Sequence, residues 1–212
     1  MKPLILAFSA VVLVASCTAK PGSFVSPDAA ASARAPATPT AAGITGNAVF
    51  SQSEMMTIAK RVAAFDRATR QRDVDGIMSV TPPAITEVIA ERSGVDAEDL
   101  HQALRAQLSA MLSQIELESY SMDMPDATAH RTADGTPYLL IPTHTIINIP
   151  GTGRVESHSQ TLAMEDAGVW YLVRISEAKQ VALLREAYPS FAKEQFPEGT
   201  QILLDDDTVA RR

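Results

Sequence analysis

One cysteine among 212 residues, Cys17, is all the thiol chemistry this chain has. It has no partner in the chain, so there is no disulfide framework and the fold must stand on its own core. Aromatics are scarce as well: six Phe, four Tyr and one Trp. That core is therefore built from Leu, Ile, Val, Met and Ala. Basic residues are outnumbered, 18 Lys and Arg against 25 Asp and Glu, which argues against a nucleic-acid partner and against electrostatic adhesion to anionic lipid. The apolar run from Leu4 to Val14 falls well short of the ~20 residues that cross a bilayer. Motifs of chemistry are missing too. No G-x-S-x-G, H-x-H or H-E-x-x-H occurs, and Pro150-Gly151-Thr152-Gly153 is followed by no Lys-Ser/Thr pair, so it is a turn and not a phosphate loop.

The N-terminus carries the clearest signal. Met1-Lys2-Pro3, the apolar run and the small residues before Cys17 make a secretory signal peptide. Val14-Ala15-Ser16-Cys17 resembles the lipobox of bacterial lipoproteins. The resemblance implies that residues 1–16 are removed and that Cys17 is lipidated as the new N-terminus. Several acyl chains, at about 0.8 kcal/mol per buried methylene, make a permanent membrane anchor. Thr18, where inner-membrane lipoproteins often carry Asp, implies an outer-membrane site facing the periplasm. Residues 17–46 hold Pro21, Pro27, Pro36 and Pro39 among Ala, Ser and Thr. Such a segment buries too little to offset its ordering entropy and reads as a tether reaching roughly 30 Å. Residues 47–212 then form one domain.

Ser51-Gln52-Ser53-Glu54 reads as a capping box, and Met55, Ile58, Ala59, Val62, Phe65 and Ala68 mark one helical face. A short helix follows over 73–78, and another runs from Ile85 to a stop at Gly94. Asp96 opens the longest helix, whose stripe is Leu100, Leu104, Leu108, Met111, Leu112 and Ile115. The period then changes. Strands are expected over 117–124, 127–133, 136–149, 155–165 and 169–175, with two-residue turns at Asp134-Gly135 and Thr152 with its neighbour Gly151. Pro142 predicts a bulge or an edge in the third strand. A last helix, with Ala178, Val181, Leu184 and Tyr188 inward, stops at Pro189. Helices followed by an antiparallel meander make an α+β domain, helices on one face of a curved sheet, with a C-terminal helix.

Phe65-Asp66-Arg67-Ala68, Arg72-Asp73-Val74-Asp75-Gly76-Ile77-Met78 and Gly168-Val169-Trp170-Tyr171-Leu172-Val173 resemble the opening helices and late strand of the nuclear transport factor 2-like superfamily (with SnoaL-like and cystatin-like α+β relatives). The resemblance implies a cone with a cavity between sheet and helices. Some members run acid–base chemistry there and others only bind or dimerise, so fold alone does not choose. The leading expectation is a non-catalytic envelope lipoprotein whose domain binds a partner protein or a small apolar ligand. The alternatives are a tethered acid–base enzyme with an apolar substrate and a structural subunit of an envelope assembly. A homodimer is compatible with each.

Three residues are pocket candidates. Asp66 adjoins the inward Phe65, where burial would raise a carboxyl pKa, and Tyr120 and His144 lie on strands. No catalytic residue, metal ligand or cofactor is assigned. His130, His144 and His158 fall on successive strands, but a turn at 151–152 puts His144 and His158 on opposite faces. The eight methionines read as core, with Met122 and Met124 the one alternating pair that recommends itself for Cu(I).

Overall fold

The computed structural model describes residues 49–204. The signal peptide, Cys17, the tether and the last eight residues of the expected domain lie outside the described residues. Within them the chain is an α+β fold: helices first, then a curled antiparallel sheet, then a helix and a final strand.

Helix α1 (Gln52–Gln71) begins at the expected capping box. The Ser51 hydroxyl accepts from the Glu54 amide at 3.2 Å and the Glu54 carboxylate accepts from the Ser51 amide at 2.6 Å, which satisfies two free helix-end donors. Arg72, at φ 56°, ends it. Asp73 then caps α2 (Val74–Met78) by accepting from the Gly76 amide at 3.1 Å. Gly76 is required here by packing: a Cβ on it would stand 2.6 Å from Asp73 Oδ2 and 2.7 Å from the Ala68 Cβ. Helix α3 (Pro83–Ser93) starts on proline and ends at Gly94, and α4 (Ala97–Gln114), capped by Asp96, buries Leu100, Leu104, Leu108 and Leu112.

The sheet is organised around one long hairpin. Strands β3 (Pro137–Ile149) and β4 (Gly153–Asp166) pair over twelve positions without interruption, from Tyr138↔Met164 to Ile149↔Gly153. Two short strands lie end to end along each outer edge. β1 (Glu116–Met122) and β2 (Thr128–Arg131) pair with β3, while β5 (Val169–Ile175) and β6 (Thr200–Leu204) pair with β4. The bulge expected at Pro142 is absent, because Pro142↔Gln160 keeps register. Proline fits because the neighbouring strand is interrupted there, and its carbonyl accepts from the Asp123 amide at 2.8 Å in the gap. The bulge sits instead in β1, where the register shifts between Leu117 and Ser119.

Both hairpins close through three residues and not two. Ile149-Pro150-Gly151-Thr152 is a type II turn, with Gly151 at φ 80° and the Thr152 amide donating to the Ile149 carbonyl at 3.0 Å. That turn sets Ile149 opposite Gly153. Near Asp134-Gly135, the Thr132 amide likewise donates to the Thr136 carbonyl at 2.9 Å, leaving 133–135 as the loop.

Two clusters form the core. One joins Ile58, Val62 and Phe65 of α1 to Leu139, Ile141, Ala163 and Leu172 of the sheet. The other joins Ile85 and Ile89 of α3 and Leu183 and Leu184 of α5 (Ala178–Ala187) to Leu140, Leu162 and Ile175. Tyr138 to Ile141 are therefore all buried, without alternation. Helix α4 gives Leu100 and Leu104 to the second cluster and Leu108 and Leu112 to the first. In α5 the inward residues are Gln180, Leu183 and Leu184, whereas Ala178 is exposed. Leu184 is buried as expected and Val181 and Tyr188 pack against the second cluster, while Gln180 turns in and its Oε1 accepts from the Ser176 amide at 2.8 Å.

Leu108 is 1% exposed. Leu108→Asp would strand an ionised carboxylate there at a cost of several kcal/mol, against a total stability of about 5–15 kcal/mol. Chemical denaturation is expected to show no folded baseline. Gly76→Ala is expected to lose about 1–3 kcal/mol from overpacking against Ala68, and an unchanged midpoint would show that α1 and α2 are not in close contact.

Candidate functional site

Along its first-cluster face the sheet changes chemistry. Leu139, Ile141, Ala163 and Leu172 give way to the buried hydroxyls of Thr143, Thr145, Ser157, Ser159 and Thr161. At that boundary lies an interior cavity of about 60 Å³. Its helical side is Phe65, Ile77, Val80, Ile85 and Leu183, with Gln180. Its sheet side is Tyr120, Thr143, Thr161, Leu172 and Arg174. By volume it holds a few waters or a ligand of a few heavy atoms, since one water occupies roughly 10–15 Å³ on this measure.

The ionisable groups at the cavity are Tyr120 and Arg174. Tyr120 is buried edge-on against Phe65, ring centres 6.0 Å apart. Burial raises its phenol well above the usual value, opposed by the Arg174 guanidinium. Arg174 donates to Ser157 Oγ at 2.8 Å. Burial lowers its pKa from the ordinary value, but a guanidinium keeps its charge in proteins. Thr143 Oγ1 and Thr161 Oγ1 share a hydrogen bond of 2.7 Å. None of these groups exchanges a proton near neutral pH.

Of the three sequence candidates, Tyr120 alone lines this cavity. Asp66 is partly exposed on α1 and ion-paired with Arg70 at 3.0 Å. The same arginine donates from Nη2 to the Tyr120 carbonyl at 2.6 Å, so Asp66 and Arg70 strap α1 to β1. His144 lies on the other face of the sheet. There the structure overturns the expected register: His144 pairs directly with His158, because the loop has three residues and directly opposed residues share a face. Glu156, two positions before His158, shares that face too. His144 Nε2 stands 2.8 Å and His158 Nε2 3.2 Å from the same atom, Glu156 Oε1. The hydrogen bond from His144, aided by that from His158, holds the Glu156 carboxyl below its ordinary value against the effect of burial. His130 belongs elsewhere, stacked on Tyr138 at 5.1 Å. Met122 and Met124 both pack against the first core cluster, which accounts for them without copper.

Arg174, Gln180, Thr161 and Glu156 were not among the sequence candidates. Arg174 had a visible signal, since it continues the inward alternation of Trp170 and Leu172. Glu156 had one as well, its two-residue spacing from His158. Comparison with known proteins finds no family model, no curated protein and no solved structure that matches this chain.

Three tyrosines have raised phenol pKa values. Burial is the first cause at each, joined at Tyr138 by its hydrogen bond to Glu194 (2.8 Å) and at Tyr188 by its bond to Asp166 (2.7 Å). In the unfolded chain these phenols ionise near pH ~10. Below that pH the stabilisation is fully present. Above it the unfolded chain releases protons first, and stability falls as pH rises. Phenolate absorbance from these residues is expected to appear together with loss of the circular dichroism of the fold. Comparing Tyr120→Phe with the parent isolates one step, and free ionisation of Tyr120 near pH ~10 in a folded chain would contradict its burial.

Proposed function

We propose that this chain is a lipid-anchored, non-catalytic binding module of the cell envelope. Its domain is a cone of the nuclear transport factor 2-like kind, in which helices pack on the curled sheet from both faces rather than the one face expected from the sequence. It takes up a small ligand with an apolar body, or the apolar tip of a partner protein. One observation carries this reading: the cavity has aliphatic and aromatic walls, and its ionisable lining groups, Tyr120 and Arg174, carry no proton that moves near neutral pH. Acid–base catalysis needs a group poised near the working pH and within reach of the substrate. No carboxylate is among the described residues that line the cavity, and Asp66 is tied to Arg70. Thr143, Thr161, Gln180 and Arg174 set a few polar groups among its aliphatic and aromatic walls, the usual make-up of a binding pocket.

The location rests on Val14-Ala15-Ser16-Cys17. A lipid on Cys17, in the outer membrane facing the periplasm, would hold the domain at the end of the tether of residues 17–46. Cys17→Ser is expected to abolish acylation and to leave the precursor uncut. Normal processing of that variant, with no acyl mass on the parent protein, would remove the anchor from this reading.

Xenon tests the interior directly, because dry apolar cavities admit it. The parent chain is expected to give a saturable ¹²⁹Xe shift. Val80→Phe, which fills the cavity at a cost of about 1–3 kcal/mol, is expected to lose it while staying folded. No saturable response from the parent would mean that the cavity does not receive apolar guests.

A further inference from the structure

We propose that His144, Glu156 and His158 bind a divalent transition-metal ion of the zinc type, on the sheet face opposite the cavity. The register of β3 and β4 sets the two imidazoles side by side, ring centres 4.6 Å apart. Strand pleating brings Glu156 to the same face. One ligand atom from each residue lies within 4.8 Å of the others. Zinc holds nitrogen and oxygen at about 2.0–2.2 Å, and tetrahedral ligand atoms at such bond lengths stand roughly 3.3–3.6 Å apart. The three side chains therefore need only small rotations. The ion replaces the two N–H···O contacts, and each neutral imidazole turns its lone pair on Nε2 toward the metal with its proton on Nδ1.

The donor chemistry selects the class of ion. Two imidazoles and a carboxylate suit zinc and its first-row neighbours, whereas calcium and magnesium ask for oxygen alone. Glu156 is supported by neither lysine nor arginine among the described residues, since its ion-pair partners are the two histidines. The site opens on a groove of about 370 Å³ also lined by Asp123 and Glu198, with no lysine or arginine among the described residues that line it. His158, its side chain 54% exposed, leaves the remaining coordination positions to water or to a ligand from outside. All three residues stand on the longest uninterrupted ladder in the sheet, which keeps their backbones fixed as a metal site requires.

The test is zinc titration, by competition with a chromophoric chelator, of the full chain carrying Cys17→Ser, which removes the one thiol. One zinc per chain is expected, with magnesium failing to displace it. His158→Ala and Glu156→Gln should each weaken binding by at least the roughly 10–100-fold seen when partners of metal ligands are removed, whereas His130→Ala should bind as the parent does. In the parent chain, trace Cu²⁺ is expected to broaden the imidazole NMR signals of His144 and His158 before those of His101 and His130, a readout independent of any variant's folding. Absence of stoichiometric zinc at about 100 µM, equal affinity in His158→Ala, or uniform broadening of all four histidines would overturn the proposal.

Discussion

The turn at Ile149-Pro150-Gly151-Thr152 governs what every residue of the central hairpin does. Proline presets the backbone before Gly151, and glycine accepts the positive φ that a type II turn demands. The result is a ladder in which Ile149 opposes Gly153 and His144 opposes His158. Because side chains alternate with period two, a shift of one position would send the cavity-facing hydroxyls outward and bring imidazoles into the interior. No single contact in the ladder is strong. The register is held because twelve pairs agree with it and because both faces near Tyr138 to Ile141 are buried.

That one ladder separates two chemistries. On one side Tyr120, Thr143, Thr161 and Arg174 meet aliphatic helix side chains around a partly enclosed space. On the other, about one strand thickness away, His144, Glu156 and His158 face an open groove. Polar atoms on the enclosed side are buried: the Thr143 and Thr161 hydroxyls bond each other and Arg174 donates to Ser157 Oγ, whereas Thr145 Oγ1 and Ser159 Oγ have no hydrogen-bond partner among the described residues. Those on the open side have only one another and solvent. The two faces therefore differ in how readily their groups exchange partners, although they share the same strands.

The helices were legible because their signals are local. Ser51 with Glu54 and Asp96 with the leucines that follow are caps and stripes confined to a few turns, and each appears where expected. The sheet faces were not legible to the same degree. Their assignment hangs on loop length, and Gly151 followed by Gly153 permits either a two- or a three-residue closure. Strand β6 gave no sign of itself, since Gln201, Ile202 and Leu203 are all exposed and lack the inward–outward alternation that marks a strand. Its pairing with Arg154 to His158 defines it. Arg174 sits in visible alternation with Trp170 and Leu172, but a charged residue on an inward stripe reads as the point where the stripe ends, and here the stripe continues into a polar interior.

Helix α4 has a consequence for how the domain opens. Its leucines are divided between two clusters that otherwise rely on different helices, α1 and α2 for one and α3 and α5 for the other. Loosening either cluster exposes half of the same rigid rod. The two halves of the domain are thereby joined into one cooperative unit, with the amides of central α4 and of the β3–β4 ladder protected from hydrogen exchange until the whole body opens. Strand β6, which gives no residue to either cluster and pairs with β4 alone among the described strands, lacks such a tie.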